Sequence, residues 1–214
     1  MTDPAALRRN YGAAELRDSG AAIGWYEQLR QWFDEAVASP AIIEPNAIQL
    51  ATVDAAGRPS VRTVLVKAFD EHGIVCYTNY ASAKARDLEE NPYAAAVFAW
   101  LPLERQVRLS GSTERVSRAE TEAYFTTRPR GSQLAAWASA QSSVIASRAE
   151  LEARVRESSA RFAGQDVPAP PNWGGYRLRP DVVEFWQGRP DRLHDRLRHR
   201  RGPDGTWTVE RLAP

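Results

Sequence analysis

Residues 47–69 read AIQLATVDAAGRPSVRTVLVKAF. Two runs rich in apolar and β-branched residues, Ala47 to Val53 and Ser60 to Phe69, flank Asp54-Ala-Ala-Gly57. A short Asp/Gly connection between such runs predicts a β-hairpin. Outward from it, strand-like runs recur at Gly73 to Thr78, Tyr93 to Trp100, Arg105 to Ser112, Val182 to Gln187, Arg192 to Arg198 and Trp207 to Leu212. The last two are joined by Gly202-Pro-Asp-Gly205. Helices come as separate insertions. Trp25, Leu29, Trp32, Phe33 and Ala36 keep helical spacing until Ser39-Pro40, and a short helix after Ser82 stops near Asn91-Pro92. The capping boxes Ser117-Arg-Ala-Glu120 and Ser147-Arg-Ala-Glu150 open two more, the first ending about Thr127 and the second near Gly164. Pro168 to Gly175 reads as a loop. Strands in hairpin-spaced series predict a mainly β fold with helical additions, an antiparallel sheet or barrel rather than a doubly wound one.

The 214 residues suit a single domain, with residues 1–23 read as a mobile N-terminal segment carrying Arg8, Arg9 and Tyr11. With 28 basic and 27 acidic residues, the chain lacks the electrostatic drive of a nucleic-acid or membrane-surface binder. Cys76 is the one cysteine, and three histidines beside it make no recognisable metal cluster. No signal-peptide core or run of about 18 apolar residues is present, so a cytoplasmic protein is expected. There is no G-x-G-x-x-G, P-loop or H-E-x-x-H.

What remains is a set of cations and amides at places a core would not choose. Arg62 and Lys67 stand five apart on one strand, a spacing of opposite parity that calls for a bulge or for different ligands. Lys84 sits in the first turn of a helix, where an anion held with Ser82 and free backbone N–H groups would remove the conflict with the helix dipole. Tyr124 and Arg128 share a helix face, with Ser132 just beyond Pro129-Arg-Gly131, and the three make a candidate phosphate site. Gln106 and Gln141-Ser142-Ser143 add groups able to read a polar heterocycle. If Arg192 to Arg198 is a strand, Arg192, His194, Arg196 and Arg198 line one face and Leu193 and Leu197 the other. Either the leucines are a buried pair beneath a wet face, or an anion or flat ring lies on the cations.

The strings RTVLVK (62–67), YTNYASAK (77–84), ERQVRLSG (104–111), YFTTRPRGSQLAAWASAQSS (124–143), PNWGGYRL (171–178), EFWQGRPDRLHDR (184–196) and the terminal ERLAP together closely resemble pyridoxamine 5'-phosphate oxidase. The resemblance implies an FMN-binding split barrel of antiparallel, Greek-key type, spanning 1–214 as one domain. It also implies a homodimer with FMN at the subunit interface, and FMN-dependent oxidation of pyridoxamine or pyridoxine 5'-phosphate to pyridoxal 5'-phosphate. The resemblance further implies that molecular oxygen reoxidises the flavin and yields hydrogen peroxide. Carried over residue by residue, FMN falls to Arg62, Thr63, Val64, Leu65, Val66, Lys67, Tyr77, Thr78, Ala83, Lys84, Gln106, Gln141, Ser142, Trp186 and Arg196. The substrate falls to Lys67, Tyr124, Arg128 and Ser132 at its phosphate, with Arg8 and Tyr11 closing over it. Arg192 and His194 meet the ring as the catalytic pair, and hydride passes from the substrate's C4′ carbon to flavin N5. Ala83 departs from the family, which commonly carries a basic residue there.

Three other readings stand beside this one. A related split-barrel flavin oxidase would act on another small aromatic, as in phenazine biosynthesis. A carrier would bind pyridoxal 5'-phosphate without turnover. A nucleic-acid binder would use the C-terminal arginines and show strong salt dependence.

Overall fold

The computed structural model describes Tyr11, Gly12, Glu15, Leu16 and residues 23–214. The hairpin is present as β1 (Ala47–Val53) and β2 (Pro59–Asp70), in register from Ala47↔Leu65 to Val53↔Pro59. Gly57 adopts the left-handed φ of 77° that its turn requires. Four more strands complete a barrel: β3 (Gly73–Asn79), β4 (Tyr93–Trp100), β5 (Arg105–Arg115) and β6 (Trp173–Gln187). The antiparallel order is β3-β2-β1-β4-β5-β6, and β3 pairs with β6 to close it. β4 returns to lie beside β1 after the β1-β2-β3 meander, which is the Greek-key connection.

β6 changes partner along its length. Trp173 to Leu178 pair with β3, whereas Val182 to Gln187 pair with β7 (Asp195–Arg201), which carries β8 (Trp207–Arg211). Between the halves lies Pro180, which has no N–H to donate, opposite Gly111 at a register shift. A Cβ on Gly111 would stand 1.9 Å from the Arg179 carbonyl oxygen, so only glycine admits this approach.

Helix α1 (Trp25–Ala38) lays Leu29, Trp32 and Ala36 onto the main core with Ile48, Phe98, Val107 and Phe185. α2 (Ala83–Glu90) adds Ala85 and Leu88 to the same core. A second core, Phe125, Leu134, Phe162 and Trp173 among others, ties α3 (Arg118–Thr126), α4 (Arg130–Ala138) and α5 (Arg148–Arg161) to the start of β6. The serine half of both expected capping boxes forms, Ser117 accepting from Glu120 N–H and Ser147 from Glu150 N–H, while the Glu150 carboxylate accepts from Ala146 N–H, one residue before the cap.

Four expectations are corrected. α4 begins at Arg130, inside the Pro129-Arg-Gly131 stretch read as a turn; Pro129 is its N-terminal boundary residue, at φ −52° and ψ 139°, and follows within three residues of the end of α3. β6 begins at Trp173, inside the stretch read as a loop, because Gly174 and Gly175 leave room for Tyr80 and Tyr77 against the strand. Ser82 is the N-terminal boundary residue of α2, but its hydroxyl lies 3.4 Å from Thr78 Oγ1 and caps no amide of the helix. β7 starts at Asp195, not Arg192, because Pro190 initiates a 3-10 turn, Pro190–Arg192, ahead of it. Leu197 is buried as expected, but Leu193 is 70% exposed and is no buried partner.

His199 on β7 is 2% exposed, with Phe185 5.5 Å away and no hydrogen-bond partner for Nε2 among the described residues. Burial holds its imidazole below the usual value. The unfolded chain therefore binds this proton more readily, so the contribution is complete above about pH 6.5 and shrinks as pH falls below it. Between pH 7.5 and 5.5 the loss is expected to be at most about 1.4 kcal/mol. Thermal melts of His199→Leu against the parent chain should show this part of the pH dependence abolished; identical pH dependence in both would remove His199 as its source.

Candidate active site

A cavity of about 410 Å³ opens on the barrel flank where β2, β3, α2, α3 and α4 meet. β2 contributes Arg62, Thr63, Val64, Leu65 and Lys67 to its wall. The opposite parity of Arg62 and Lys67 is resolved by a bulge, since the β2–β3 register shifts between Val66 and Ala68. Val66 itself is buried in the main core. β3 supplies Tyr77 and Thr78, α2 supplies Lys84, and the chain beyond α4 supplies Gln141.

One end of the cavity is cationic. Lys84 Nζ lies 3.2 Å from Thr78 Oγ1 and 3.4 Å from Gln141 Oε1, and Thr78 donates to the same Oε1 at 2.8 Å. Burial, then the neighbouring Arg62 charge, pull the Lys84 ammonium below its usual range. Among the described residues no carboxylate pairs with it. Two cations held together around hydroxyl and amide groups, with Lys84 unneutralised, fit an anionic ligand.

The other end is aromatic. Tyr77 stacks on Tyr124 at 4.1 Å and on Trp173 at 5.4 Å, and the Arg128 guanidinium lies 4.6 Å over Trp173. Burial raises the Tyr77 phenol to about 12, with Glu120 adding to the effect, and pushes the Tyr124 phenol up as well. Both rings therefore stay protonated donors near neutral pH. Arg128 Nη1 is buried with no partner among the described residues. A buried guanidinium N–H left unpaired is costly, and an oxygen-rich group in the cavity would satisfy it. Ser132, on α4, lies outside the cavity wall, as does Ala83 at the first turn of α2.

The remaining expected residues gather elsewhere. Gln106, Trp186 and Arg196 are direct neighbours across β5, β6 and β7. His194 packs 4.6 Å from Trp186, and Tyr11 lies edge-on to both at 5.9 and 5.7 Å. Arg196 donates Nε–H to the buried Glu184 at 2.9 Å and Nη1–H to the Ala213 carbonyl at 2.9 Å. His194 Nδ1 accepts from the Arg189 backbone N–H at 3.1 Å, so the neutral ring carries its proton on Nε2 and donates there. Arg192 is exposed on the 3-10 turn at φ 63°, and Ser142 is exposed at φ 71°. Arg8 lies outside the described residues. Trp173 and Trp186 are thirteen positions apart on β6, about 40 Å of strand path, so cavity and cluster stand at opposite ends of one strand.

Trp173, Asn79 and Ser139 also line the cavity, and Glu184 holds Arg196, though none was a candidate from sequence. Trp173 alone had a local signal, a bulky aromatic inside a Pro/Gly-rich stretch.

Solved structures share this architecture. PhzG from Burkholderia lata 383, in complex with tetrahydrophenazine-1-carboxylic acid, superposes with a TM-score of 0.82 at 32% identity, covering 88% of this chain and 91% of that one. A pyridoxamine 5'-phosphate oxidase-related, FMN binding protein from Nostoc punctiforme shares the fold at a TM-score of 0.72 and 20% identity, over 90% and 98% of the two chains. The fold is the FMN-binding split barrel.

Residues 33–162 match the family described as pyridoxamine 5'-phosphate oxidase, and residues 173–214 match the pyridoxine 5'-phosphate oxidase C-terminal dimerisation region. Similar proteins named pyridoxine/pyridoxamine 5'-phosphate oxidase come from Streptomyces avermitilis, 55% identical over 99% of this chain and 96% of that one, and from Burkholderia multivorans, 54% identical over the full length of both. The chain belongs to the pyridoxamine 5'-phosphate oxidase family and is an oxidoreductase. Family membership implies FMN as cofactor, and the unneutralised Lys84 beside Arg62 fits its phosphate. Among the described residues no helix is long and apolar enough to cross a membrane.

Proposed function

We propose that this chain oxidises pyridoxamine 5'-phosphate and pyridoxine 5'-phosphate to pyridoxal 5'-phosphate in the cytoplasm. The alcohol substrate and O2 give the aldehyde and H2O2. The amine substrate additionally consumes water and releases ammonia. The observation that carries the reading is the orphaned Arg128 Nη1, placed with Tyr124 and Lys67 around one cavity. Lys67, Tyr124 and Arg128 bind the substrate phosphate there. Arg62, Lys84, Thr78 and Gln141 hold the FMN phosphate at the cationic end. FMN, when bound, supplies the acceptor for the two electrons.

The ring-facing groups belong to the cluster at the far end of β6, so one copy does not complete a site alone. A homodimer in which the Gln106, Trp186, Arg196 cluster of one copy meets the cavity of the other makes two whole sites, with FMN at the interface. Exposed apolar side chains beside both halves support this arrangement. Leu193 flanks Arg192 and His194, and Val144, 99% exposed, follows the Gln141-Ser142-Ser143 stretch. Arg192 covers the ring, and a planar guanidinium suits that stacking. His194 donates from Nε2 to an acceptor on the substrate.

The test is spectroscopic. Purified protein should be yellow, lose its flavin absorbance anaerobically on adding pyridoxamine 5'-phosphate, and regain it in air with release of H2O2. Flavin-loaded protein unchanged by either phosphorylated substrate would overturn the assignment, and bleaching only by another small aromatic would identify a different oxidase of this fold.

A further inference from the structure

Arg62 is braced from behind by residues that lie outside the cavity wall. The pairings Leu50↔Arg62 and Thr52↔Ser60 make Thr52 the diagonal neighbour of Arg62 on the same face of the hairpin. Arg62 Nη1 donates to Thr52 Oγ1 at 2.7 Å and to the Leu50 carbonyl at 3.3 Å, and Nη2 donates to Ser60 Oγ at 2.6 Å. Thr52 is 0% exposed, and its hydroxyl donates onward to Asp87 Oδ2 at 2.5 Å. That carboxylate stands 3.7 Å from Arg62 Nη2.

A chain of polar contacts therefore runs from guanidinium to hydroxyl to carboxylate and joins β1, β2 and α2. The same helix carries Lys84, whose ammonium feels the Arg62 charge. Of the five guanidinium N–H groups, three are used in these contacts, and two remain for a ligand. Ala83, next to Lys84, brings no charge of its own. An arginine already ordered in this way loses little conformational freedom when an anion arrives.

We propose that Thr52 and Asp87 are positioning residues for the FMN phosphate, holding Arg62 beside Lys84 at the cationic end of the cavity. The brace rests on the reading of that end as the phosphate site. Simple charge makes the opposite prediction for Asp87, because a carboxylate close to an anion site weakens binding by repulsion. The sign of the effect on removing Asp87 therefore separates a brace from a nearby charge.

The test is fluorescence titration of the full-length apoprotein with FMN and, separately, with riboflavin, which lacks the phosphate. Thr52→Val and Asp87→Ala are each expected to weaken FMN binding about five- to tenfold while changing riboflavin binding less than about twofold. Thr52→Ser, which keeps the hydroxyl, should bind both ligands as the parent does. The brace is overturned if Asp87→Ala tightens FMN, if both variants bind FMN normally, or if FMN and riboflavin are weakened in equal proportion. Parent protein that binds riboflavin as tightly as FMN would overturn the phosphate reading itself, a result visible before any variant is made. Asp87, whose side chain is 15% exposed where that of Thr52 is fully buried, keeps the test available should Thr52→Val fold poorly.

Discussion

Arg192→Leu is expected to lower kcat/KM for pyridoxamine 5'-phosphate by at least about tenfold, roughly 1.4 kcal/mol of transition-state stabilisation, with FMN content unchanged. Arg192 follows Asp191 in the left-handed region, at φ 63° after φ 54°. Such a conformation costs a non-glycine residue on the order of 1 kcal/mol and persists where the surroundings impose it. Here it lifts the guanidinium clear of β7, exposed and without a partner among the described residues, two positions before His194. Lysine should restore little, because an ammonium has no planar face to lay on a ring. Arg192→Gly relieves the backbone while deleting the side chain, so it should melt no lower than the parent and still lose activity. Steady-state kinetics with flavin absorbance and thermal melts of the three variants are the measurement. Near-parental turnover in Arg192→Leu would leave the turn without a catalytic role.

The hairpin at residues 47–69 was legible because its signals are local. β-Branched runs and an Asp/Gly connection act within a few residues, and both serine caps are equally short-range. The conflict between Arg62 and Lys67 was also legible, and the bulge between Val66 and Ala68 resolves it. The errors arose where long-range packing overrode local pattern. Trp173-Gly-Gly reads as a loop until Tyr77 and Tyr80 fill the space that the glycines leave against β3. Leu193 and Leu197 alternate with cations as a strand would, yet Pro190 and two left-handed residues detach Leu193 from the ladder.

The same distinction governs the site. Lys84 and the Tyr124–Arg128 pair announced themselves as charged or polar groups in awkward local settings. The resemblance to a known family supplied Trp186, Arg196 and the rest. Thr52 and Asp87 gave no local sign, because their importance depends on which strand faces α2. Only the connection from β3 through α2 to β4, which lies beside β1, brings Asp87 to Thr52 and Arg62. The opposite placement of cavity and cluster on β6 was equally invisible, since alternation along a strand says nothing of how far apart its two ends must act.

Arg128→Leu is expected to reduce kcat/KM for pyridoxamine 5'-phosphate by about 10- to 100-fold, the worth of one charge-assisted hydrogen bond at roughly 1.5 to 3 kcal/mol. Desolvation lowers the Arg128 guanidinium from its usual value, but arginine stays charged at any working pH, so the loss should not depend on pH near neutrality. Two contributions need separating. Arg128 packs over Trp173 at 4.6 Å and Phe125 at 5.4 Å, so its removal disturbs the aromatic stack as well as the phosphate contact. Leucine keeps part of that packing and drops the charge. Unphosphorylated pyridoxamine, which makes the stack contacts without the anion, is the internal control. If Arg128 binds phosphate through the otherwise unpaired Nη1, the preference for the phosphorylated substrate collapses while the slow turnover of pyridoxamine changes little. Equal losses on both substrates would assign Arg128 to packing of Trp173, and an unaltered preference would move the phosphate site elsewhere in the cavity.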